Sequence, residues 1–262
     1  MTDIEKKPKA SRRAHDLTAD DRAMVIRALE FGSCLSDESV SQFAESSVVI
    51  DVRRRRFVYR AGEQADALYA IMKGRIKLCR IEPQTDREAV IDILPEGSLF
   101  GESALYSTAG KRQNCAVAYE TCALLKISAE QFKLAMAEAP LLHEYTFRLI
   151  GHRLENAEQR LADFALNAIP ARLDRLLADF SHRYGVPESA GVLIDIPLPH
   201  REIASIVGST RESVTVRLNA MRREGTIDFV NRRILVKRPE GLLRPTDEIS
   251  VATSDSAASL VR

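Results

Sequence analysis

The 262-residue chain has no tryptophan, four cysteines and five histidines. It also lacks any apolar run approaching the roughly 18 residues that a membrane span needs. Cys34, Cys79, Cys115 and Cys122 form no C-x-x-C pair and no zinc-ligand spacing, so they read as small buried hydrophobes in a reducing compartment. His15, His143, His152, His182 and His200 all lie outside residues 48–128. A metal enzyme built on that stretch needs clustered His and Glu ligands there, so no enzyme is expected. An excess of one charge is absent too: the formal net charge is +1. The total is silent on polyanionic partners, and charge has to be read segment by segment. The N-terminal MTDIEKKPKASRRAHD is polar and has no apolar h-region, which predicts no secretory signal and a cytoplasmic protein.

What is present is a chain that is 45% hydrophobic, long enough for two domains with packed cores. Residues 1–19 read as a disordered basic arm carrying Lys6, Lys7, Lys9, Arg12 and Arg13. A short helix follows, capped by Asp20 or Asp21, with Met24, Val25 and Leu29 on its apolar face. A second runs from Asp37 to Ala44, capped near Ser36. The pattern then changes. Val48–Val52, Phe57–Tyr59, Leu68–Met72, Ile76–Ile81, Ala89–Leu94 and Ala116–Ile127 are apolar or alternating, punctuated by Gly62, Gly74, Gly97 and Gly101. Short strands with glycine turns at regular intervals predict an antiparallel barrel or roll, and residues 20–137 are assigned to it.

A long helix is expected from Pro140, within a segment spanning 138–168. Phe147, Ile150, Leu154, Ala157, Leu161 and Phe164 recur at alternating spacings of three and four, a heptad seam. The opposite face is polar, with charge from Arg148, Arg153, Glu155 and Arg160 and an amide from Gln159. These six apolar residues are the candidate homodimerisation surface. Pro170 breaks that helix, and Leu173, Leu176, Leu177 and Phe180 mark another. A strand is expected over 192–198. The tail 241–262 is rich in Ser, Thr, Asp and Pro and is expected to be disordered.

Between them lies the segment PHREIASIVGSTRESVTVRLNAMRRE at 199–224. It predicts a helix from His200 to Val207, a sharp turn at Gly208, and a second helix capped by Thr210 that runs to Arg223. Those are the parts of a helix-turn-helix. Arg211, Glu212, Thr215 and Arg217 stand near the start of the second helix, where Arg suits guanine O6 and N7 and Glu accepts from cytosine N4. A β-hairpin over 226–236 with Asn231-Arg232-Arg233 at its tip reads as a wing. From Asp195 to Arg238 there are nine basic against five acidic side chains, so this segment is more basic than the whole. Arg201, Thr210, Arg211, Glu212, Thr215, Arg217, Arg232 and Arg233 are the candidate DNA contacts. Arg222, Arg223, Lys237 and Arg238 are further phosphate candidates. The fold class is therefore α+β: an antiparallel β-roll, a long dimerisation helix, and a C-terminal winged helix-turn-helix over 169–240.

Three stretches in this order resemble the CRP/FNR family of transcription regulators: YRAGEQADALYAIMKGRIKL at 59–78, FGESALYSTAGKRQNCAVA at 100–118 and IVGSTRESVTVRL at 206–218. The resemblance covers residues 25–240 and implies a cyclic-nucleotide-binding type of roll. It implies that an effector would sit in the roll against the long helix, held by Gly101 and Glu102 at a ribose and by Arg112 and Gln113 at a phosphate. Arg153 matches a family arginine expected to pair with Glu102. Gln113 replaces the usual serine. Ala157 and Glu158 replace the hydroxyl side chains that meet adenine in the cyclic-AMP protein. A cyclic nucleotide, another small molecule and no diffusible ligand all remain open. No iron–sulfur cluster is expected, because only Cys34 lies in the N-terminal region. No haem is expected, because residues 48–128 hold no histidine. Val216 stands where the family's recognition helix carries a second arginine, so the family's target sequence does not transfer.

The sequence thus predicts a homodimeric, sequence-specific regulator bound to palindromic double-stranded DNA, with RNA polymerase as a partner and no membrane association. It is either controlled by an effector in the roll or constitutively active. The alternative is a cyclic-nucleotide-binding regulatory protein acting through a protein partner.

Overall fold

The computed structural model describes residues 17–85, 87–238 and 242. The expected arm, apart from its last three residues, and the expected tail, apart from Leu242, lie outside the described residues. Leu242 itself is buried. The chain divides into two compact units between Leu161 and Ala162.

Helix starts in the first unit are set by short polar side chains. Thr18 caps α1 (Ala19–Ala28) in a reciprocal arrangement: Asp21 N donates to Thr18 Oγ1 at 3.2 Å, and Thr18 N donates to Asp21 Oδ2 at 3.0 Å. The cap is therefore Thr18 rather than Asp20 or Asp21, because the Asp21 carboxylate serves as the acceptor at the third helical position. The expected apolar face also shifts. Ile26 and Leu29 are buried, whereas Met24 is exposed. Ser36 caps α2 (Asp37–Ser46) as expected. A 3-10 turn, Glu30–Cys34, joins the two and buries Phe31.

Eight strands form the roll: β1 (Val48–Val52), β2 (Phe57–Tyr59), β3 (Ala67–Lys73), β4 (Ile76–Ile81), β5 (Glu88–Leu94), β6 (Leu99–Phe100), β7 (Cys115–Ala118) and β8 (Cys122–Ser128). They make two antiparallel sheets, ordered β1-β8-β3-β6 and β2-β7-β4-β5. The single strand expected over Ala116–Ile127 is two strands in different sheets. Tyr119, Glu120 and Thr121 break the apolar run and carry the chain from one sheet to the other, with Tyr119 N bonded to Arg75 O at 2.9 Å. One face of the roll encloses Tyr59, Tyr69, Ile71, Leu78, Phe100 and Leu124.

The other face of the β1-β8-β3-β6 sheet packs against helices. A four-residue helix, α3 (Ser103–Tyr106), follows β6, and α4 (Ala129–Glu138), capped by Ser128, follows β8. Phe31, Phe43, Phe132 and Tyr145 form one aromatic cluster in this layer, with centroid separations of 5.9 to 6.5 Å. Tyr145 belongs to α5 (Pro140–Leu166), which starts at Pro140 as the sequence predicts. Leu142 and Tyr145 anchor its first turns in that layer.

In the second unit, α6 (Ile169–Tyr184) carries Pro170 in its first turn, where the missing N–H has no intrahelical partner to lose. It buries Leu173, Leu176, Leu177 and Phe180. β9 (Gly185–Glu188) and β10 (Gly191–Ile194) follow. The strand expected to reach 198 stops at Ile194. Pro197 and Pro199 lack ladder donors, and Asp195 N turns to Tyr184 O. Then come α7 (His200–Val207), α8 (Arg211–Arg223), β11 (Ile227–Val230) and β12 (Arg233–Val236). The small sheet is ordered β11-β12-β10-β9. Asn231 and Arg232, with φ of 49° and 66°, make the tight turn between β11 and β12.

Among the described residues no helix is long and apolar enough to cross a membrane.

Candidate nucleic-acid interface and effector site

α7 and α8 are built around a left-handed glycine. Gly208 closes α7 with φ of 63° and ψ of 52°. A Cβ there would lie 2.5 Å from Cε1 of Phe164, so the position is closed to any side chain both by conformation and by packing. Thr210 then caps α8, with Ser213 N donating to its Oγ1 at 3.2 Å. Val214, Leu218 and Met221 of α8 are buried together with Ile203, Ala204, Ile206 and Val207 of α7. That packing leaves Thr210, Arg211 and Glu212 exposed at the start of α8 and Arg201 exposed on α7.

Thr215 is half-buried. Its Oγ1 donates to Arg211 O at 2.8 Å and meets Nδ1 of His200 at 2.7 Å. Arg217 turns away from the exposed face of α8. Its guanidinium lies 3.4 Å from Asp174 of α6 and 3.5 Å from Glu224. On the wing, Arg232 is exposed at the tip, and Arg233 pairs with Asp195 at 3.1 Å. The structure thus brings Arg201, Thr210, Arg211, Glu212 and Arg232 to the surface and ties Arg217 and Arg233 to carboxylates within the unit. Val216, 68% exposed, and His200 are not among the candidate contacts expected from the sequence, where Val216 stands only as a departure from the family's arginine. A β-branched residue interrupting the polar stripe between Glu212 and Asn219 was the available signal for Val216.

The second candidate site lies in the roll. Gly101, with φ of 83°, follows β6, and a Cβ there would crowd Arg112 Nη1 at 3.1 Å and Ala67 O at 3.2 Å. Arg112 is only 2% exposed. It donates from Nη1 to Gly101 O at 2.8 Å and from Nη2 to Ala67 O at 2.6 Å, and its guanidinium lies 4.3 Å from the Tyr59 ring centroid. Asp66 is the nearest carboxylate, at 3.9 Å. Glu102, 8% exposed, pairs through Oε1 with Arg153 Nη1, and Arg153 Nη2 donates to Leu99 O at 2.8 Å. Burial first, then the Glu102 charge, holds the Tyr59 phenol well above its ordinary range, so it stays protonated.

Two atoms in this cluster are buried without a hydrogen-bond partner: Glu102 Oε2 and Arg112 Nε. One wants a donor and the other an acceptor. Gln113 is not part of the cluster; it is exposed, with Nε2 3.5 Å from Lys111 O. Ala157 and Glu158 are exposed on α5.

Cys79, Cys115 and Cys122 are buried and Cys34 half-buried. Burial pushes the Cys122 thiol up to about 11 and raises Cys79 further, aided by a hydrogen bond to Glu88. Among the described residues no group of three His, Cys, Asp or Glu side chains is placed to hold a metal ion.

Two family patterns match the chain in the order of its two units. The cyclic nucleotide-binding domain matches residues 49–139, and the Crp-like helix-turn-helix domain matches residues 171–244. The Global nitrogen regulator of Nostoc sp. is 31% identical over 198 residues, covering 75% of this chain and 88% of that protein. The chain belongs to the CRP/FNR family of transcriptional regulators. The CRP-like cAMP-activated global transcriptional regulator of Mycobacterium tuberculosis is 27% identical over 195 residues, covering 74% of this chain and 86% of that one. Among solved structures, the c-di-GMP responsive regulator CLP of Xanthomonas campestris is similar in fold, with a TM-score of 0.67, 21% identity and coverage of 77% of this chain and 99% of that one. FixK2 of Bradyrhizobium japonicum has the same TM-score at 16% identity, covering 75% of this chain and 95% of that one.

As a CRP/FNR member the chain is a DNA-binding regulator of transcription and not an enzyme. Its β-roll is a cyclic nucleotide-binding domain by fold and by sequence pattern. The unpartnered atoms of Glu102 and Arg112 suit a hydroxyl donor and an anionic oxygen, respectively.

Proposed function

We propose that the protein acts in the cytoplasm as a homodimer that places two copies of α8 in successive major grooves of a palindromic site, with half-sites roughly 34 Å apart. The observation that carries this reading is the seam on α5. Leu154 and Leu161 are 58% and 70% exposed, and Phe147 and Phe164 are exposed beside them on one helix. Ile150 is half-buried and Ala157 exposed between them. An apolar stripe of that length at heptad spacing is supported best by a second helix of the same kind. Arg211 and Glu212 then contact base edges, while Arg201, Thr210, Arg232 and Arg233 contact or organise the phosphates. Arg217, held by Asp174, acts as a brace between α6 and α8. RNA polymerase is the protein partner of the bound dimer.

The roll is proposed to hold a small effector that presents a hydroxyl to Glu102 and an anionic oxygen to Arg112, with Gly101 giving close approach and Arg153 setting the Glu102 carboxylate. A cyclic nucleotide meets both demands. Gln113 takes part only if its exposed side chain folds inward.

Selection of bound sequences from random duplexes, followed by gel shifts at two salt concentrations, tests the DNA reading. Salt-sensitive binding to an inverted repeat is expected. Binding with no sequence preference, with or without cyclic AMP or cyclic di-GMP, would overturn it. Calorimetry of the dimer with each nucleotide tests the effector: heat lost in Glu102→Gln and Arg112→Leu supports the site, and heat unchanged in both removes it.

A further inference from the structure

The outermost point of α8 is apolar. At about 100° per residue, Val216 lies roughly 200° from Val214, opposite the buried stripe of Val214, Leu218 and Met221. It is the exposed centre of a face whose other members are Glu212, Asn219 and Arg223. A valine gains nothing from burial there, and its branched side chain is a weaker helix former than its neighbours.

Thr215 beside it has had its polarity turned inward. Its single hydroxyl proton goes to Arg211 O, since a carbonyl only accepts. His200 Nδ1 must therefore be the donor in its 2.7 Å contact with the same oxygen. Burial, then the Arg211 charge, lowers the His200 pKa below its ordinary value and so favours the neutral ring, which in the donor role is the Nδ1–H tautomer. The ring also lies beside that of Phe229 of β11, at 6.1 Å between centroids. With its proton committed to Arg211 O and one of its two lone pairs to His200, Thr215 has no donor left for a ligand and offers its methyl group beside a single lone pair.

We infer that α8 reads thymine through its 5-methyl group, with Val216 as the specificity-determining contact, the Thr215 methyl as its neighbour, and His200 as the positioning residue that keeps the Thr215 hydroxyl turned in. Apolar contact with that methyl group is the one feature of the major-groove edge that needs no hydrogen bond. Arg211, Arg222 and Arg223 on the same helix supply the charge that brings it against DNA. The inference rests on the DNA-reading proposal above and refines it.

The test uses the full-length protein and the inverted repeat obtained by selection, with each thymidine replaced in turn by deoxyuridine. At one or two positions per half-site the wild type should bind the uracil duplex about four-fold more weakly, the worth of one buried methyl group. Val216→Ser should bring that ratio close to one. His200→Ala should lower it, and His200→Asn, whose amide can donate from the place of Nδ1, should restore it. Thymine–uracil ratios of one at every position, or ratios unchanged in Val216→Ser and Thr215→Ser alike, would overturn the inference while leaving selective binding intact. Failure to select any sequence would instead remove the DNA-reading proposal on which it stands.

Discussion

Phe164, the last apolar residue of the α5 seam, lies against Gly208, the turn between α7 and α8, so closely that a methyl group on Gly208 would sit 2.5 Å from Cε1 of the ring. The same ring lies under the Arg172 guanidinium at 4.8 Å. One aromatic side chain thus touches both the proposed dimer seam and the corner that aims the recognition helix.

Gly208→Ala should therefore be destabilising twice over. The left-handed backbone alone accounts for about 1–2 kcal/mol, and displacement of Phe164 adds to it. Thermal unfolding of Gly208→Ala, Phe164→Ala and the double variant checks this. The double variant should lose less than the sum of the two, because removing the ring makes room for the new methyl group.

The seam makes a separate prediction. Leu154→Glu with Leu161→Glu places charge on the exposed apolar stripe, and sedimentation should show a monomer that has also lost affinity for an inverted repeat. A dimer of unchanged stability would show that association uses another surface.

Arg153→Ala should leave the Glu102 carboxylate buried with no cation beside it and reduce stability by about 3 kcal/mol. Adding Glu102→Gln should recover most of that loss in chemical denaturation. Recovery distinguishes an unpaired charge from lost packing of the arginine stem.

The two arginine classes should separate in binding assays. Arg211→Ala should relax base preference within each half-site, and Arg232→Ala should weaken binding to selected and random duplexes alike, with a shallower salt dependence. Equal losses on both kinds of DNA for both variants would show the roles to be wrongly divided.

The helix-turn-helix should also be acid-sensitive through His200. Its folded-state value lies below the ordinary 6.5, because burial and then Arg211 disfavour the imidazolium. The stability this contributes is fully present above 6.5 and is lost as the pH falls through the lower folded-state value. Unfolding of the wild type and His200→Asn on either side of that window checks it: the wild type should show the steeper decline in acid.

Much of this architecture was legible in local sequence. Ser36, Pro140, Gly208 and Thr210 mark their helix ends through side-chain chemistry acting within a few residues, and the structure places those ends accordingly. α4 was not expected, because much of its buried face is alanine and its apolar signal is faint. The partners of Arg112 and Arg217 were out of reach for a different reason. Ala67 O and the Asp174 carboxylate are 45 and 43 residues away, and nothing local distinguishes an arginine that will meet such a group from one left in solvent. The same holds for His200, whose link to Thr215 depends on how two helices cross.

The wing turn has a consequence for how far this protein can be stabilised. Arg232 holds a backbone conformation that glycine adopts freely and that a side chain with a Cβ resists by about 1–2 kcal/mol. Arg232→Gly should therefore make the folded chain sturdier and the regulator weaker in the same stroke. A search for heat-resistant variants scored on folding alone would be drawn to that substitution and would discard a working hairpin tip for a relaxed one.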